Sequence, residues 1–95
     1  KIPQVNCFQC IDKIANKIEL NERTIRHARD LMKKVLEQEF SAGKDPMGFA
    51  GSVLYVSLQM EGKTIRQIDI AEAAGVTEVT IRNRAKELKS KLHLI

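Results

Sequence analysis

The sequence predicts an all-α fold of five helices that closes on a helix-turn-helix. Apolar residues recur every three or four positions in successive stretches, and none of them calls for a strand. Helix-starting residues fall between the stretches: Asn21, Asp45-Pro46 and Thr64. The segment Ile65 to Leu88, IRQIDIAEAAGVTEVTIRNRAKEL, reads as two helices joined by a tight turn at Ala74-Gly75-Val76-Thr77.

The first helix is expected from about Pro3 to Lys17. Val5, Phe8, Ile11, Ile14, Ala15 and Ile18 form its apolar stripe, with Asp12, Lys13 and Lys17 opposite. Leu20-Asn21 breaks the pattern, and Asn21 suits an N-cap. The second helix runs from about Glu22 to Glu39. Its stripe is Ile25, Ala28, Met32, Val35 and Leu36, with Leu31 at the edge. Arg23, Arg26, Arg29, Lys33 and Lys34 form a basic flank, and Glu22–Arg26 and Asp30–Lys34 have the spacing of supporting ion pairs.

Residues 41–44 are expected to be a loop. Asp45 caps the third helix and Pro46 takes its first position, where a missing N–H is harmless. Up to Met60 this helix is apolar nearly all round, which marks a buried central element. Gly51 lies in its middle, where glycine is unfavourable by roughly 1 kcal/mol, so a packing reason is expected. After the Glu61-Gly62-Lys63 turn, Thr64 and Gln67 have capping-box spacing. The short fourth helix, about Ile65 to Ala74, directs Ile65, Ile68 and Ala71 inward, with Ile70 a further candidate. Thr77 caps a fifth helix that runs to about Lys91, with Ile81, Ala85, Leu88 and Leu92 inward.

Ninety-five residues suit one domain over 1–95, with the helix-turn-helix at about 64–91. No apolar run approaches the roughly 20 residues of a membrane span, so no membrane association is expected. No secretory signal is visible at the N-terminus, and the first residue, Lys1, suits an excised fragment. The net charge is +4. Residues 62–95 hold seven basic and four acidic side chains, whereas residues 1–61 hold nine and eight, so the excess lies with the helix-turn-helix. Cys7 and Cys10 form a CFQC pair with no second pair, and His27 and His93 lack metal-pair spacing. Buried or half-buried core cysteines, with no metal and no cofactor, are the expectation, and metal binding, redox chemistry and a disulfide are the alternatives. No nucleophile stands beside a base and no Gly-rich phosphate loop is present, so an enzyme is not expected.

The last two helices carry the functional signal. Gly75 can take positive φ at the turn. Ala71 is small where the helices cross, and Val76 and Ile81 fill the space between them. Thr77, Glu78, Val79, Arg82, Asn83 and Lys86 then share the free face of the fifth helix. Arg82 can pair with guanine O6 and N7, Asn83 with adenine, and Val79 with a thymine methyl. Thr77, Thr80 and Lys86 suit phosphate contacts, with Thr64 and Arg66 adding more. Glu78 either favours the helix N-terminus or repels phosphate. A helix pair that only packs remains the alternative.

The segment GKDPMGFAGSVLYVSLQMEGKTIRQIDIAEAAGVTEVTIRNRAKEL closely resembles the second cyclin-like repeat of general transcription factor IIB in its archaeal form, transcription factor B. Gly43-Lys44-Asp45-Pro46 with Leu54-Tyr55 resembles the repeat signature, and Gly75 to Arg84 resembles the recognition helix. The resemblance covers essentially the whole chain and is most specific in the second half. It implies a five-helix cyclin-like domain with the third helix at its centre. It also implies contact with double-stranded promoter DNA just upstream of the TATA box, with Val79 and Arg82 at base-contacting positions and Asn83 close by. The implied partners are the TATA-binding protein and, mainly through regions absent here, RNA polymerase. The implied place is the archaeal cytoplasm beside the nucleoid, or the nucleus of a eukaryote, and a monomer is expected. Phe49, Gly51, Ser52 and Ala85 depart from the family pattern at packing positions. The competing expectation is a cyclin-like protein-docking module that uses the basic flank of the second helix, with the helix-turn-helix only architectural.

Overall fold

The structure, a computed structural model, describes residues 4–38 and 45–91, with side chains from residue 7 in the first segment. Among the described residues there are five helices and no strand: α1 (Gln4–Lys17), α2 (Glu22–Glu37), α3 (Pro46–Met60), α4 (Gln67–Ala74) and α5 (Glu78–Lys91). Several expectations lie outside the described residues: the helix start at Pro3, the Val5 side chain, Glu39, the loop at 41–44, and Leu92.

Side chains close the helix ends where the sequence suggested. Asn21 Oδ1 accepts from the Thr24 amide at 2.9 Å. Asp45 Oδ1 accepts from the Gly48 amide at 3.0 Å, and Pro46 follows at the first helical position.

The fourth helix departs from expectation. It begins at Gln67, and its N-cap residue is Arg66, which makes no side-chain capping bond. Thr64 and Gln67 therefore form no capping box. The Gln67 amide is drawn away to Tyr55 and Arg82 instead. The inward face also differs, because Ile70 is fully buried while Ile68 is 36% exposed. Ile70, Ala71 and Ala74 pack into the core, and Ile68 stays at the surface.

Around this frame α3 is central. It packs against all four other helices, most heavily against α5 and α1. Every residue from Gly48 to Leu58 is buried except Tyr55, which is half-buried. The core is aliphatic apart from Phe49, and every helix contributes to it. Cys7 and Cys10 are buried free thiols. Burial pushes both thiols up; the Cys10 charge adds to this at Cys7, while at Cys10 Lys13 opposes it and Asp45 adds. No group of three or more His, Cys, Asp or Glu side chains among the described residues could hold a metal.

Gly51 has the packing reason that its position required. A Cβ there would sit 2.9 Å from Ile81 Cδ1, 3.3 Å from Ile70 Cγ2 and 3.4 Å from Ala74 Cβ. The missing side chain lets α3 approach α4 and α5 together. One residue on, buried Ser52 donates to the Gly48 carbonyl at 2.8 Å, within its own helix.

A second fastening joins α2 to the end of α3. Thr24 Oγ1 donates to Glu61 Oε1 at 2.9 Å, and His27 Nδ1 lies 3.0 Å from Glu61 Oε2. Lys63 Nζ stands 3.3 Å from Glu61 Oε1 and donates to Thr24 Oγ1 at 2.9 Å. Burial pushes the Glu61 carboxyl up, but hydrogen bonds from Thr24, His27 and Lys63, with the Lys63 charge, outweigh it. They hold the group below its ordinary value.

The basic flank of α2 is arranged differently from expectation. Among the described residues, neither Glu22–Arg26 nor Asp30–Lys34 forms an ion pair. Arg29 instead reaches Asp12 on α1 at 2.8 Å and lies over the Phe8 ring, 5.2 Å from its centroid.

Three outcomes follow from this packing. Gly51→Val should destabilise by about 1–3 kcal/mol in urea unfolding, because the added methyls overpack a filled space. Gly51→Ala should cost less, since Ile81 Cδ1 is the tip of a side chain and alanine favours the helix by about 1 kcal/mol. Glu61→Gln should lower stability at neutral pH. A carboxylate held below its ordinary value stabilises the fold above the unfolded-state pKa, and that contribution fades as pH falls through the folded value. The gap between wild type and Glu61→Gln, followed by thermal unfolding against pH, should therefore shrink below about pH 4.3.

Candidate nucleic-acid interface

The α4–α5 connection is built from backbone geometry first. Gly75 adopts φ 73° and ψ 29°, the left-handed conformation. The Val76 amide bonds to the Ala71 carbonyl at 3.0 Å and the Gly75 amide to the Glu72 carbonyl at 3.2 Å. This pair of bonds is a Schellman motif. Val76, partly buried, then packs against the core. Thr77 Oγ1 accepts from the Thr80 amide at 3.2 Å and shares a 2.9 Å hydrogen bond with the Thr80 hydroxyl. The turn is therefore closed at both ends, which fixes where α5 starts.

From that start α5 divides into two faces. Ile81, Ala85 and Leu88 are buried. Val79, Arg82, Asn83 and Lys86 are exposed, with Val79 at 53%. Their spacing of i, i+3, i+4 and i+7 sets them along one side. An aliphatic side chain this exposed beside two cations and an amide contributes nothing to the core. The face offers donors, an acceptor and a small apolar contact, which are the groups needed to read base edges.

Other expected site residues lie around this face. Thr77 and Glu78 are exposed at the N-terminal end of α5, and Thr80 is half-buried. Thr64 is exposed in the segment before α4 rather than within a helix. Arg66 donates to Asp69 from Nε at 3.1 Å and from Nη2 at 2.9 Å. That pairing holds the Asp69 carboxyl below its usual range and raises Arg66. Only Nη1 of Arg66 stays clear of it. Arg84 turns from the exposed face toward Glu87, at 3.8 Å.

Gln67 and Tyr55 were not foreseen near the site. Gln67 has the spacing of half a capping box, and Tyr55 belongs to the family signature. In the structure Gln67 stands between Tyr55 Oη and Arg82 Nε. Their adjacency depends on how α3 crosses α4 and α5, which no local pattern records.

Comparison with known proteins fits this arrangement. The family model described as Transcription factor TFIIB repeat matches residues 1–91. The chain belongs to the TFIIB repeat family. The five helices, with α3 at their centre, are accordingly the cyclin-like all-α fold that the sequence led us to expect. This TFIIB repeat is 39% identical over 94 residues to a transcription initiation factor IIB of Pyrobaculum aerophilum, covering 99% of the chain and 28% of that protein. It is 38% identical over 93 residues to a transcription initiation factor IIB of Ignicoccus hospitalis, covering 98% of the chain and 29% of that protein. It is 39% identical over 84 residues to transcription initiation factor IIB 1 of Thermococcus kodakarensis, covering 88% of the chain and 28% of that protein. The repeat thus spans little more than a quarter of the length of the curated relatives it matches. No helix among the described residues is long and apolar enough to cross a membrane.

Proposed function

We propose that this chain is the DNA-reading module of a basal transcription initiation factor, which contacts the promoter element upstream of the TATA box through α5. The observation that carries this is the two-faced α5, with Ile81, Ala85 and Leu88 buried and Val79, Arg82, Asn83 and Lys86 turned to solvent. Arg82 and Asn83 make the bidentate base contacts, Val79 meets a thymine methyl, and Thr77, Thr80 and Lys86 hold phosphates. Thr64 and the free Nη1 of Arg66 extend the phosphate contacts from the start of α4. Glu78 favours the N-terminus of α5.

The chain acts as a single domain over 1–95 and as a monomer. Among the described residues, the exposed large hydrophobics, Met60, Ile68 and Val79, lie on three different helices. It works beside the TATA-binding protein and RNA polymerase, with the polymerase held mainly by other parts of the factor, in the cytoplasm of an archaeal cell. No chemistry is assigned to it.

One observation favours a second reading, a docking surface on α2. Arg23, Arg26, Lys33 and Lys34 are exposed, and none has an ion-pair partner among the described residues. Both α2 and the α4–α5 pair pack on α3, with little contact between them. The α2 surface would therefore act independently of base reading.

Affinity measurements on a duplex with a purine-rich element upstream of a TATA box, and on one with that element scrambled, test both readings. Arg82→Ala should reduce discrimination between the duplexes by about 1–3 kcal/mol. Lys86→Ala should weaken both alike and lower the salt slope by about one. Arg26→Glu should leave both unchanged. Equal losses on the two duplexes for Arg82→Ala would contradict the base-reading role. Loss of TATA-binding-protein binding in Arg26→Glu, with DNA affinity intact, would favour docking.

A further inference from the structure

Arg82 does not extend freely from α5. Its Nε donates to Gln67 Oε1 at 3.4 Å, and Gln67 Nε2 donates to Tyr55 Oη at 3.3 Å. The chain of contacts runs from the central helix, through the first residue of α4, to the outward face of α5. Tyr55 and Gln67 are half-buried while Arg82 is exposed. One end is therefore fixed by the core and the other stands in solvent.

Both hydrogen bonds are long and near the surface, so they add little to stability. Their effect is on direction. A guanidinium whose Nε is occupied still offers both Nη groups. Those two form the fork that fits O6 and N7 of one guanine. An arginine held this way has less rotamer freedom to lose on docking. The side chain at position 67 must accept from Arg82 and donate to Tyr55, and an amide does both without adding charge. A carboxylate there would hold Arg82 more tightly, compete with guanine and repel the phosphates.

We propose that Gln67 is a positioning residue that aims Arg82, with Tyr55 as its anchor on α3. This rests on the base-reading role assigned to Arg82 above, and it adds a determinant of specificity that itself touches no base.

The test is a double-mutant cycle in the 95-residue chain with Gln67→Ala, Arg82→Ala and the pair. Tyr55→Phe serves as a milder second variant, and thermal unfolding checks each fold. Affinities are measured on the element duplex and the scrambled duplex at two salt concentrations. Nitrogen relaxation of the Arg82 Nε–Hε group is followed in the free protein. Gln67→Ala should reduce preference for the element about threefold to tenfold, the worth of one modest hydrogen bond, with the salt slope unchanged. It should have no further effect once Arg82 is alanine, and it should make the Arg82 Nε–Hε group more mobile. Tyr55→Phe should shift both readouts the same way by less.

An equal loss from Gln67→Ala with and without Arg82 would mean that Gln67 meets the DNA itself and would overturn the proposal. Unchanged Arg82 mobility in Gln67→Ala would overturn it as well. If Arg82→Ala alone left the preference intact, the base-reading assignment would fail, and the relaxation measurement would still decide whether Gln67 orders Arg82.

Discussion

The close approach of α3 to α4 and α5 at Gly51 is the constraint on which the rest depends. A side chain there would press on Ile81, Ile70 and Ala74 at once. Those three residues belong to the two helices of the candidate DNA-binding unit, so a single missing Cβ seats both. With Ile81 fixed against α3, the helical repeat leaves Val79, Arg82, Asn83 and Lys86 no orientation except outward. Tyr55, one turn further along α3, can then reach Gln67. The glycine lowers local helix propensity, and the buried contacts it permits outweigh that loss.

Electrostatics follow from the same packing. Two carboxylates on α4 and α5 are already engaged: Asp69 by Arg66 and Glu87 by Arg84. Glu61 is tied to Thr24, His27 and Lys63 at the far end of α3, away from α5. Glu78 is the one acidic side chain at the start of α5, where the partial positive charge of the helix N-terminus favours it. Arg82 and Lys86 have no acidic partner among the described residues, which leaves their charge free for an anionic ligand.

Much of this was legible in the sequence because it is local. Asn21, Asp45-Pro46, Gly75 and Thr77 act within three or four residues of themselves, and each performs the role its type suggests. The all-round apolar character of residues 47–58 required a central helix. The start of α4 departs from expectation because a Thr-x-x-Gln spacing fits a capping box equally well, and the competing partner of Gln67 lies twelve residues back on another helix. Ile68, expected inward, stays at the surface while Ile70, the further candidate, is fully buried; two residues turn an α-helical face by about 200°, so the two cannot both face the core. On the second helix, spacing suggested two surface ion pairs. Arg29 chose Asp12 on the neighbouring helix, a choice that only the α1–α2 packing makes available.

If α5 reads sequence through the face that α3 orients, that face alone should answer to the element. An NMR titration of labelled protein tests it most directly. The ligands would be a duplex carrying a purine-rich element upstream of a TATA box and a scrambled duplex, at two salt concentrations. Sequence reading by α5 requires shifts confined to Val79, Arg82, Asn83, Lys86 and the flanking threonines on the first duplex, persisting at the higher salt, with only weak, salt-sensitive shifts on the second. Equal shifts on both duplexes, or shifts centred on Arg23 and Arg26 with none on α5, would contradict it.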